Sequence, residues 1–164
     1  YRTKERVPTN SGEFREPLGI PEVVSEGSDI TVVSYGSTFN LCEAALKQLE
    51  ELEISVELID AQTLIPFDIN HMIVGSLEKT NRLLIVDEDV ESGATGFMLD
   101  KILVEQSGYN HLDSAPKTLS SKDHRPAYGS DGDYFSKPSI DDIVEKIYSI
   151  MNEADPAAYP SIYS

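Results

Sequence analysis

The sequence predicts an α/β protein, a three-layer α/β/α arrangement around a mainly parallel sheet of about five strands. Short, almost continuously apolar runs rich in branched side chains alternate with longer segments whose apolar residues recur at helical spacing. The links between these segments are short, as expected where each helix crosses over to the next parallel strand. The chain has 164 residues, enough for one domain with an extension and a substantial core.

The first helix follows two predicted strands. A short strand is predicted at Glu22–Ser25, and a near-continuous apolar run over residues 30–35 predicts a strand that is covered on both faces. Residues 36–38 then turn the chain into a helix. Its predicted buried stripe has helical spacing and consists of Cys42, Ala45, Leu46, Leu49 and Leu52.

Val56–Asp60 and Leu83–Val86 predict the next two strands, with a helix between them. That helix is expected to begin at Pro66 and Asp68, with the Asp68 carboxylate as its N-cap. Its predicted apolar face consists of Ile69, Met72, Ile73 and Leu77.

A further helix is expected to open at Gly93 and Gly96. Small residues there permit a tight turn and close packing, and Phe97 would anchor the helix. Lys117–Leu119 is predicted as one more short strand, and a loop rich in proline, glycine and aspartate over residues 123–138 leads to the last helix.

The last helix is the clearest local prediction. Ser139 and Asp142 have the spacing of a capping box, with aspartate in place of the usual glutamate or glutamine.

The whole chain is expected to have three regions: an extended connector over residues 1–28, a folded domain over residues 29–153 and an irregular tail over residues 154–164. The tail is expected to lie against a neighbour or to be frayed.

The composition bounds the partners and the compartment. A formal charge of −16 argues against binding nucleic acid or an anionic membrane and favours a basic partner or a well-solvated surface. The single cysteine, Cys42, is interpreted as a small core residue of a protein in the reducing cytoplasm. No apolar run approaches the roughly 18 residues that span a bilayer. The chain starts without methionine and is interpreted as a fragment.

Ligands of parallel sheets collect at the carboxyl ends of the strands. Here those ends carry residues 35–37, 60–62 and 87–89. The first resembles a phosphate cradle only weakly, since it lacks GxGxxG spacing, and no GxxxxGK[ST] motif occurs in the chain. Phosphate binding is therefore not favoured.

Asp87, Glu88, Asp89 and Glu91 form the densest acidic cluster. A cation site would need several oxygens converging on one point, whereas consecutive residues at a strand end point in opposite directions. A solvated or interfacial edge is the favoured interpretation, with Glu88 as the residue held in a subunit contact. The candidate subunit interface consists of Asp87, Glu88, Gly93, Gly96 and Phe97.

The sequence offers no convincing active site. His71, His111 and His124 lack the spacing of metal ligands, and no G-x-S-x-G motif is present. No catalytic, cofactor-binding or metal-ligating residue is therefore assigned to this chain.

Several segments carry a family resemblance over nearly the whole chain: residues 1–2, 17–19, 26–36, 59–60, 63–68, 79–84, 88, 93, 96–97, 115–116, 123, 128 and 138–143. In them the chain resembles the C-terminal domain of the transketolase family, and more closely the beta part of the thiamine-dependent 2-oxo acid dehydrogenases. The sequence departs from the family pattern at Asp87, where histidine is usual, and at residues 124–126.

The resemblance implies a parent oxidoreductase that decarboxylates a 2-oxo acid on thiamine diphosphate and passes the acyl group to a lipoyl domain, with 2-oxoisovalerate favoured over pyruvate. It implies that thiamine diphosphate and Mg²⁺ are bound by domains preceding this chain, which alone would be inactive. Residues 131–133, Asp-Gly-Asp, superficially resemble the family's metal-binding GDG motif, but the asparagine that should follow is missing, and we interpret them as a turn.

The resemblance also implies partners. The domain would help to build a homo- or heterodimer with other domains or subunits of the same enzyme, and its acidic surface would suit the basic subunit-binding domain of the lipoyl acyltransferase. Two alternatives stay open: the C-terminal domain of a transketolase or 1-deoxyxylulose-5-phosphate synthase, and a free-standing acidic binding module.

Overall fold

The computed structural model describes residue 9, residues 12–13, 15–123 and 132–161 of the chain. The strands are β1 (Glu22–Ser25), β2 (Ile30–Ser34), β3 (Val56–Asp60), β4 (Leu83–Val86) and β5 (Lys117–Leu119). The helices are α1 (Gly36–Glu51), α2 (Met72–Thr80), α3 (Ala94–Leu99), a π-helix that continues α3 (Asp100–Glu105), a 3₁₀-helix (Gly108–His111), α4 (Gly132–Ser136) and α5 (Ile140–Ala154).

The strands form one sheet in the order β1-β3-β2-β4-β5. β2 pairs in parallel with both β3 and β4, and β4 pairs in parallel with β5, whereas β1 runs antiparallel to β3 at the edge. Every residue of β2 and β4 is buried, as expected for parallel strands covered on both faces. The predicted three-layer fold with a mainly parallel sheet of five strands is confirmed.

The sheet separates two hydrophobic cores because alternate side chains of each strand point to opposite faces. On one face, residues such as Val32 and Leu58 pack with α1 and α5. On the other, Val33 and Ile59 pack with α2, α3 and the π-helix. The two helical layers are called below the α1–α5 layer and the α2–α3 layer.

Helix α1 begins at Gly36, whose φ of 62° lies in the left-handed region that favours glycine. Three residues of its predicted stripe, Cys42, Ala45 and Leu49, are buried. Leu52 is 39% exposed because the helix has ended and the chain turns away at that point. Leu46 is half-buried and packs against the same core, so the predicted stripe is wrong only for Leu52.

Helix α2 begins later than predicted. It starts at Met72, and His71 before it has a φ of 57°, in the left-handed region. Asp68 nevertheless acts as a cap: its Oδ1 accepts a hydrogen bond from the Met72 amide at 2.8 Å, and its Oδ2 accepts one from Ile73 at 2.9 Å. Ile69 precedes the helix and is 56% exposed, so its assignment to the buried face is wrong.

The predicted loop over residues 123–138 contains α4, so Gly132 belongs to a helix and not to a turn. The predictions for residues 1–2, 124–126, 128 and 131 lie outside the described residues. At α5 the capping box is confirmed, since the Ser139 hydroxyl accepts a bond from the Asp142 amide at 3.2 Å. In return, Asp142 accepts one from the Ser139 amide at 2.8 Å.

The segment after α5 folds back onto that helix. The rings of Tyr148 and Tyr159 meet edge to face with centroids 6.1 Å apart. The Tyr148 hydroxyl donates a hydrogen bond to the Pro160 carbonyl at 2.9 Å. The neighbour that this segment contacts is thus α5. The segment is not frayed over the residues that the structure describes. Among all the described residues, no helix is long and apolar enough to cross a membrane.

Candidate functional site at the carboxyl edge of the sheet

The carboxyl ends of β2 and β4 lie side by side because the two strands are parallel neighbours. Between them and the start of α1 is an open cavity of about 360 Å³. It is lined by Tyr35, Gly36, Ser37, Thr38, Asp87, Glu88, Asp89 and Lys137. The cavity therefore gathers two of the three strand ends singled out in the sequence, where ligands bind in sheets of this kind.

Asp87 is the central group of this cavity and is only 2% exposed. Its Oδ2 accepts a hydrogen bond from the Tyr35 hydroxyl at 3.0 Å, and its Oδ1 accepts one from the Glu88 amide at 2.7 Å. Burial, followed by the hydrogen bond and negative charge of Asp87, raises the pKa of Tyr35 far above its usual value, so this tyrosine stays protonated and donates. The carboxylate of Asp87 is thus engaged within the fold.

Glu88 connects three parts of the chain. Its Oε2 accepts a hydrogen bond from Lys137 Nζ at 3.0 Å, and its backbone carbonyl accepts one from the Ser121 hydroxyl. The hydrogen bond from Lys137 is the largest influence on the pKa of Glu88, and with one from Ser37 it lowers that pKa against the opposing effect of burial. Glu88 is therefore a carboxylate at neutral pH, placed beside the first turn of α1, where the helix dipole favours negative charge.

The acidic cluster is divided between the interior and the surface. Asp87 is buried, whereas Glu88, Asp89 and Glu91 are exposed. Among the described residues, no group of histidine, cysteine, aspartate and glutamate side chains is placed to hold a metal ion. His71 precedes α2, His111 ends the 3₁₀-helix, and His124 lies outside the described residues.

The two glycines of the candidate interface have different roles. A Cβ on Gly93 would lie 2.5 Å from Asp89 Oδ2, so the exposed Asp89 side chain would have to move to admit one. Gly96 lies inside α3 and not at its start, and a Cβ there would meet only the Ser92 Cβ at an ordinary 3.7 Å. Close packing within the chain therefore does not explain Gly96, and that prediction is wrong.

Phe97 packs α3 onto the loop before α2. Its ring lies edge to face with that of Phe67 at a centroid distance of 6.1 Å, and Lys101 Nζ lies 5.6 Å from its centroid. Phe97 is only partly buried. The five residues of the candidate interface thus form two groups: Asp87, Glu88 and Gly93 surround the acidic loop, and Gly96 and Phe97 lie on α3.

Sequence reasoning missed two residues of the cavity. Lys137 lies 49 residues from Glu88, and no local pattern pairs the two. Thr38 is 1% exposed, and its hydroxyl has no hydrogen-bond partner among the described residues.

Cys42 lies outside this cavity and is correctly predicted as a core residue. It is buried, and burial raises the pKa of its thiol to about 12.

Comparison with known proteins gives a consistent set of relatives. The family described as "Transketolase, C-terminal domain" matches residues 19–140. A pyruvate dehydrogenase E1 component subunit beta from Mesostigma viride is 33% identical over 152 residues, which cover 92% of this chain and 45% of the relative. A mitochondrial 2-oxoisovalerate dehydrogenase subunit beta from Chaetomium thermophilum is 43% identical over 93 residues, 56% of this chain and 19% of the relative.

Solved structures show the same fold. A split gene transketolase, an inactive β4 tetramer, superposes with a TM-score of 0.70 at 22% identity and covers 87% of this chain and 44% of that one. A 2-oxoglutarate:ferredoxin oxidoreductase from Magnetococcus marinus superposes with a TM-score of 0.54 at 13% identity, over 87% of this chain and 21% of that one. The chain spans less than half the length of each of these four proteins. The resemblance seen in the sequence is confirmed, and the chain belongs to the family of transketolase C-terminal domains.

Proposed function

We propose that this chain is the C-terminal, non-catalytic domain of a thiamine diphosphate-dependent 2-oxo acid dehydrogenase. The parent enzyme decarboxylates a 2-oxo acid and transfers the acyl group to a lipoyl domain. The observation that carries this proposal is the 33% identity to a pyruvate dehydrogenase E1 subunit beta over 92% of the chain. A transketolase-type parent has weaker support, because the likeness to split gene transketolase is 22% identical and concerns the fold.

The residues at the carboxyl edge do not fit a diphosphate. The buried Asp87 already accepts hydrogen bonds from Tyr35 and from the Glu88 amide. Glu88 and Asp89 line the same cavity, so their negative charge would repel a diphosphate. Thiamine diphosphate and Mg²⁺ therefore belong to other domains of the parent, and this domain carries out no step of the reaction.

We favour a branched-chain 2-oxo acid such as 2-oxoisovalerate as the substrate, with pyruvate next. Supporting this, the 2-oxoisovalerate dehydrogenase subunit from C. thermophilum is 43% identical where it aligns, compared with 33% for the pyruvate dehydrogenase subunit from M. viride. The substrate pocket belongs to the parent's other domains. The cytoplasm is the proposed compartment, in keeping with one buried, unpaired cysteine.

The domain's role is assembly. Residues 29–153 form the main body of the assembly domain, residues 1–28 contribute its edge strand β1 and connect it to the rest of the enzyme, and residues 154–164 are its tail. The candidate interface described above contributes to a homo- or heterodimer within the parent. The α1–α5 layer suits the basic subunit-binding domain of a lipoyl acyltransferase, because α1 and α5 together carry seven acidic and two basic side chains.

A chimera tests the proposed assembly role. Residues 19–140 would replace the matching segment of a pyruvate dehydrogenase E1 subunit beta. We expect the chimera to assemble with its alpha subunit and to decarboxylate pyruvate. A folded chimera that fails to assemble would contradict the proposal.

Calorimetry tests the two binding statements. The chain is expected to show no binding of thiamine diphosphate with Mg²⁺, and a micromolar dissociation constant would refute its non-catalytic assignment. Binding of the subunit-binding domain is expected to weaken as salt is raised, because the attraction is electrostatic. Absence of any salt-sensitive binding would remove the docking role.

A further inference from the structure

We infer that this chain binds a free α-amino acid with an aliphatic side chain in two adjoining cavities beside α1. The cavity of about 360 Å³ at the carboxyl edge of the sheet, called the polar cavity below, receives the ammonium and carboxylate groups. A cavity of about 430 Å³ between α1 and the start of α5, called the apolar groove below, receives the side chain. Such a site is additional to the proposed assembly role and does not depend on it.

The two cavities are joined by one side chain and by one face of a helix. Lys137 borders both of them. Ser37 lines the polar cavity, whereas Leu41 and Gln48 line the apolar groove. These three residues of α1 are separated by four and by seven positions, so they lie on the same face of the helix. A small molecule with a polar end and an apolar end can therefore occupy both cavities at once.

The polar cavity offers hydrogen-bond donors at the start of α1. This helix has 16 residues, and its N-cap residue, Tyr35, supplies no side-chain hydrogen bond to the first turn. The first amides of a helix have no acceptor within the helix, and together with the helix dipole they favour an anion. Lys137 adds a positive charge at the border of the same cavity. A single carboxylate is therefore suited to this end of the site.

Thr38 gives independent support for a ligand at this point. Its side chain lines the polar cavity and is 1% exposed, and its hydroxyl has no hydrogen-bond partner among the described residues. Buried hydroxyl groups in folded proteins usually have a partner, because an unpaired one lowers the stability. A ligand bound at the start of α1 would supply the missing partner.

The carboxylates of the polar cavity require a positive charge in the ligand as well. Lys137 pairs with Glu88 at 3.0 Å, and no basic side chain in the described part of the chain pairs with Asp89. An anion alone would be repelled, as a diphosphate would, and a cation alone would face the positive end of α1. A zwitterion satisfies both ends. Asp87 is not used, since both of its oxygens already accept hydrogen bonds.

The apolar groove determines the kind of side chain. Leu41, Pro138 and Ile140 contribute its apolar atoms, and Asp141 borders it. Leu41 and Ile140 are only partly buried, so they have apolar surface left for a ligand to cover. Asp141 disfavours an acidic side chain. The groove therefore suits an aliphatic side chain such as that of leucine.

Amide NMR spectra of the full 164-residue chain, recorded during titration with L-leucine, measure the affinity and the place of binding. We expect a dissociation constant of about 1 mM or less and the largest shifts at the amides of Gly36, Ser37 and Thr38. The 2-oxo acid with the same carbon skeleton lacks the ammonium group, and isopentylamine lacks the carboxylate. Both should bind at least about tenfold more weakly, because each loses a charge-assisted contact. Glycine lacks the side chain and should lose about as much.

Two variants test the residues of the polar cavity. Thr38→Val removes the buried hydroxyl and keeps the shape of the side chain, and Asp89→Asn removes the exposed negative charge. Each should weaken leucine binding at least about tenfold and leave the far-ultraviolet circular dichroism unchanged. Glu91→Gln is the matched control, since Glu91 is an exposed carboxylate of the same loop that does not line the cavity. It should bind leucine like the wild type.

Absence of any shift up to about 20 mM leucine would overturn the inference. Equal affinities for leucine and isopentylamine would do the same, because the carboxylate would then have no partner. Unchanged binding by both Thr38→Val and Asp89→Asn would place the ligand elsewhere and would also refute the site. The chimera and the calorimetry described above use no free amino acid as ligand, so failure of this site is distinguishable from failure of the assembly role.

Discussion

The hydroxyl of Tyr35 donates a 3.0 Å hydrogen bond to Oδ2 of Asp87 and thereby links the carboxyl ends of β2 and β4. Asp87 is buried and also accepts a hydrogen bond from the Glu88 amide. Both of its carboxylate oxygens therefore have partners within the fold. A strand end that could have served as a ligand site is thereby used to fix two loops. This link can be tested through stability.

Tyr35→Phe is expected to lower the free energy of unfolding by about 1 kcal/mol, the usual net value of one hydrogen bond. Asp87→Ala should cost more, because it leaves both the Tyr35 hydroxyl and the Glu88 amide without their acceptor. Urea titration followed by circular dichroism measures both effects. Asp89→Asn changes an exposed neighbour and serves as the control, and equal losses for Asp87→Ala and Asp89→Asn would contradict this assignment.

Cys42 is expected to be inert in the folded protein. It is 2% exposed, and burial raises the pKa of its thiol to about 12, so very little thiolate forms at pH 8. An aromatic disulfide reagent should label the chain fully in concentrated urea and only at the rate of unfolding in buffer. Rapid labelling of the folded chain would show that the thiol is accessible.

Glu57 is expected to make the stability depend on pH. It is 3% exposed and forms an ion pair with Lys79. Burial alone would raise the pKa of Glu57, but hydrogen bonds, of which that from Lys79 is the largest, hold the pKa below its ordinary value of 4.5. The charged form is thus favoured by folding, so this stabilisation is complete above about pH 4.5 and is lost as the pH falls through the folded pKa.

Urea titrations across this acidic range measure the dependence. Glu57→Gln should lower the stability at pH 7 and flatten its decline below about pH 4.5. Glu51→Gln alters an exposed glutamate of α1 and should leave the decline unchanged. An identical decline for wild type and Glu57→Gln would show that another group is responsible.

Asp68 is expected to be a more sensitive cap than Ser139. It is fully buried and accepts the amides of Met72 and Ile73 before α2 begins. Asp68→Ala should cost about 2 kcal/mol, the upper end of the range for caps, because both amides lose their acceptor. Ser139→Ala removes the partly exposed cap of α5 and should cost about half as much. Thermal unfolding measures both losses. A larger loss for Ser139→Ala than for Asp68→Ala would mean that burial of Asp68 contributes nothing to the strength of the cap.

β2, β3 and β4 could be predicted because their runs are rich in branched apolar residues and nearly all of their residues are buried. The start of α2 could not, since the left-handed conformation of His71 has no local signature in the sequence. Gly93 was recognised from its position before a helix. The lack of any packing role for Gly96 within the chain became visible only in three dimensions.

The candidate site shows the same division. Tyr35 and Asp87 could be placed at one edge because parallel strands end together. The pairing of Lys137 with Glu88 depends on how the last third of the chain returns to the sheet, which the periodicity of apolar residues does not encode. Contacts between distant segments are therefore the part of the site that sequence reasoning left out.

The acidic charge of the α1–α5 layer has a consequence for valency. The α1–α5 layer and the α2–α3 layer lie on opposite sides of the sheet, so a basic partner bound to the first leaves the second free. A parent enzyme that holds two copies of this domain would present two such acidic surfaces. It would be bivalent, and a partner carrying two basic domains on a tether of suitable length would be retained far longer than a partner carrying one.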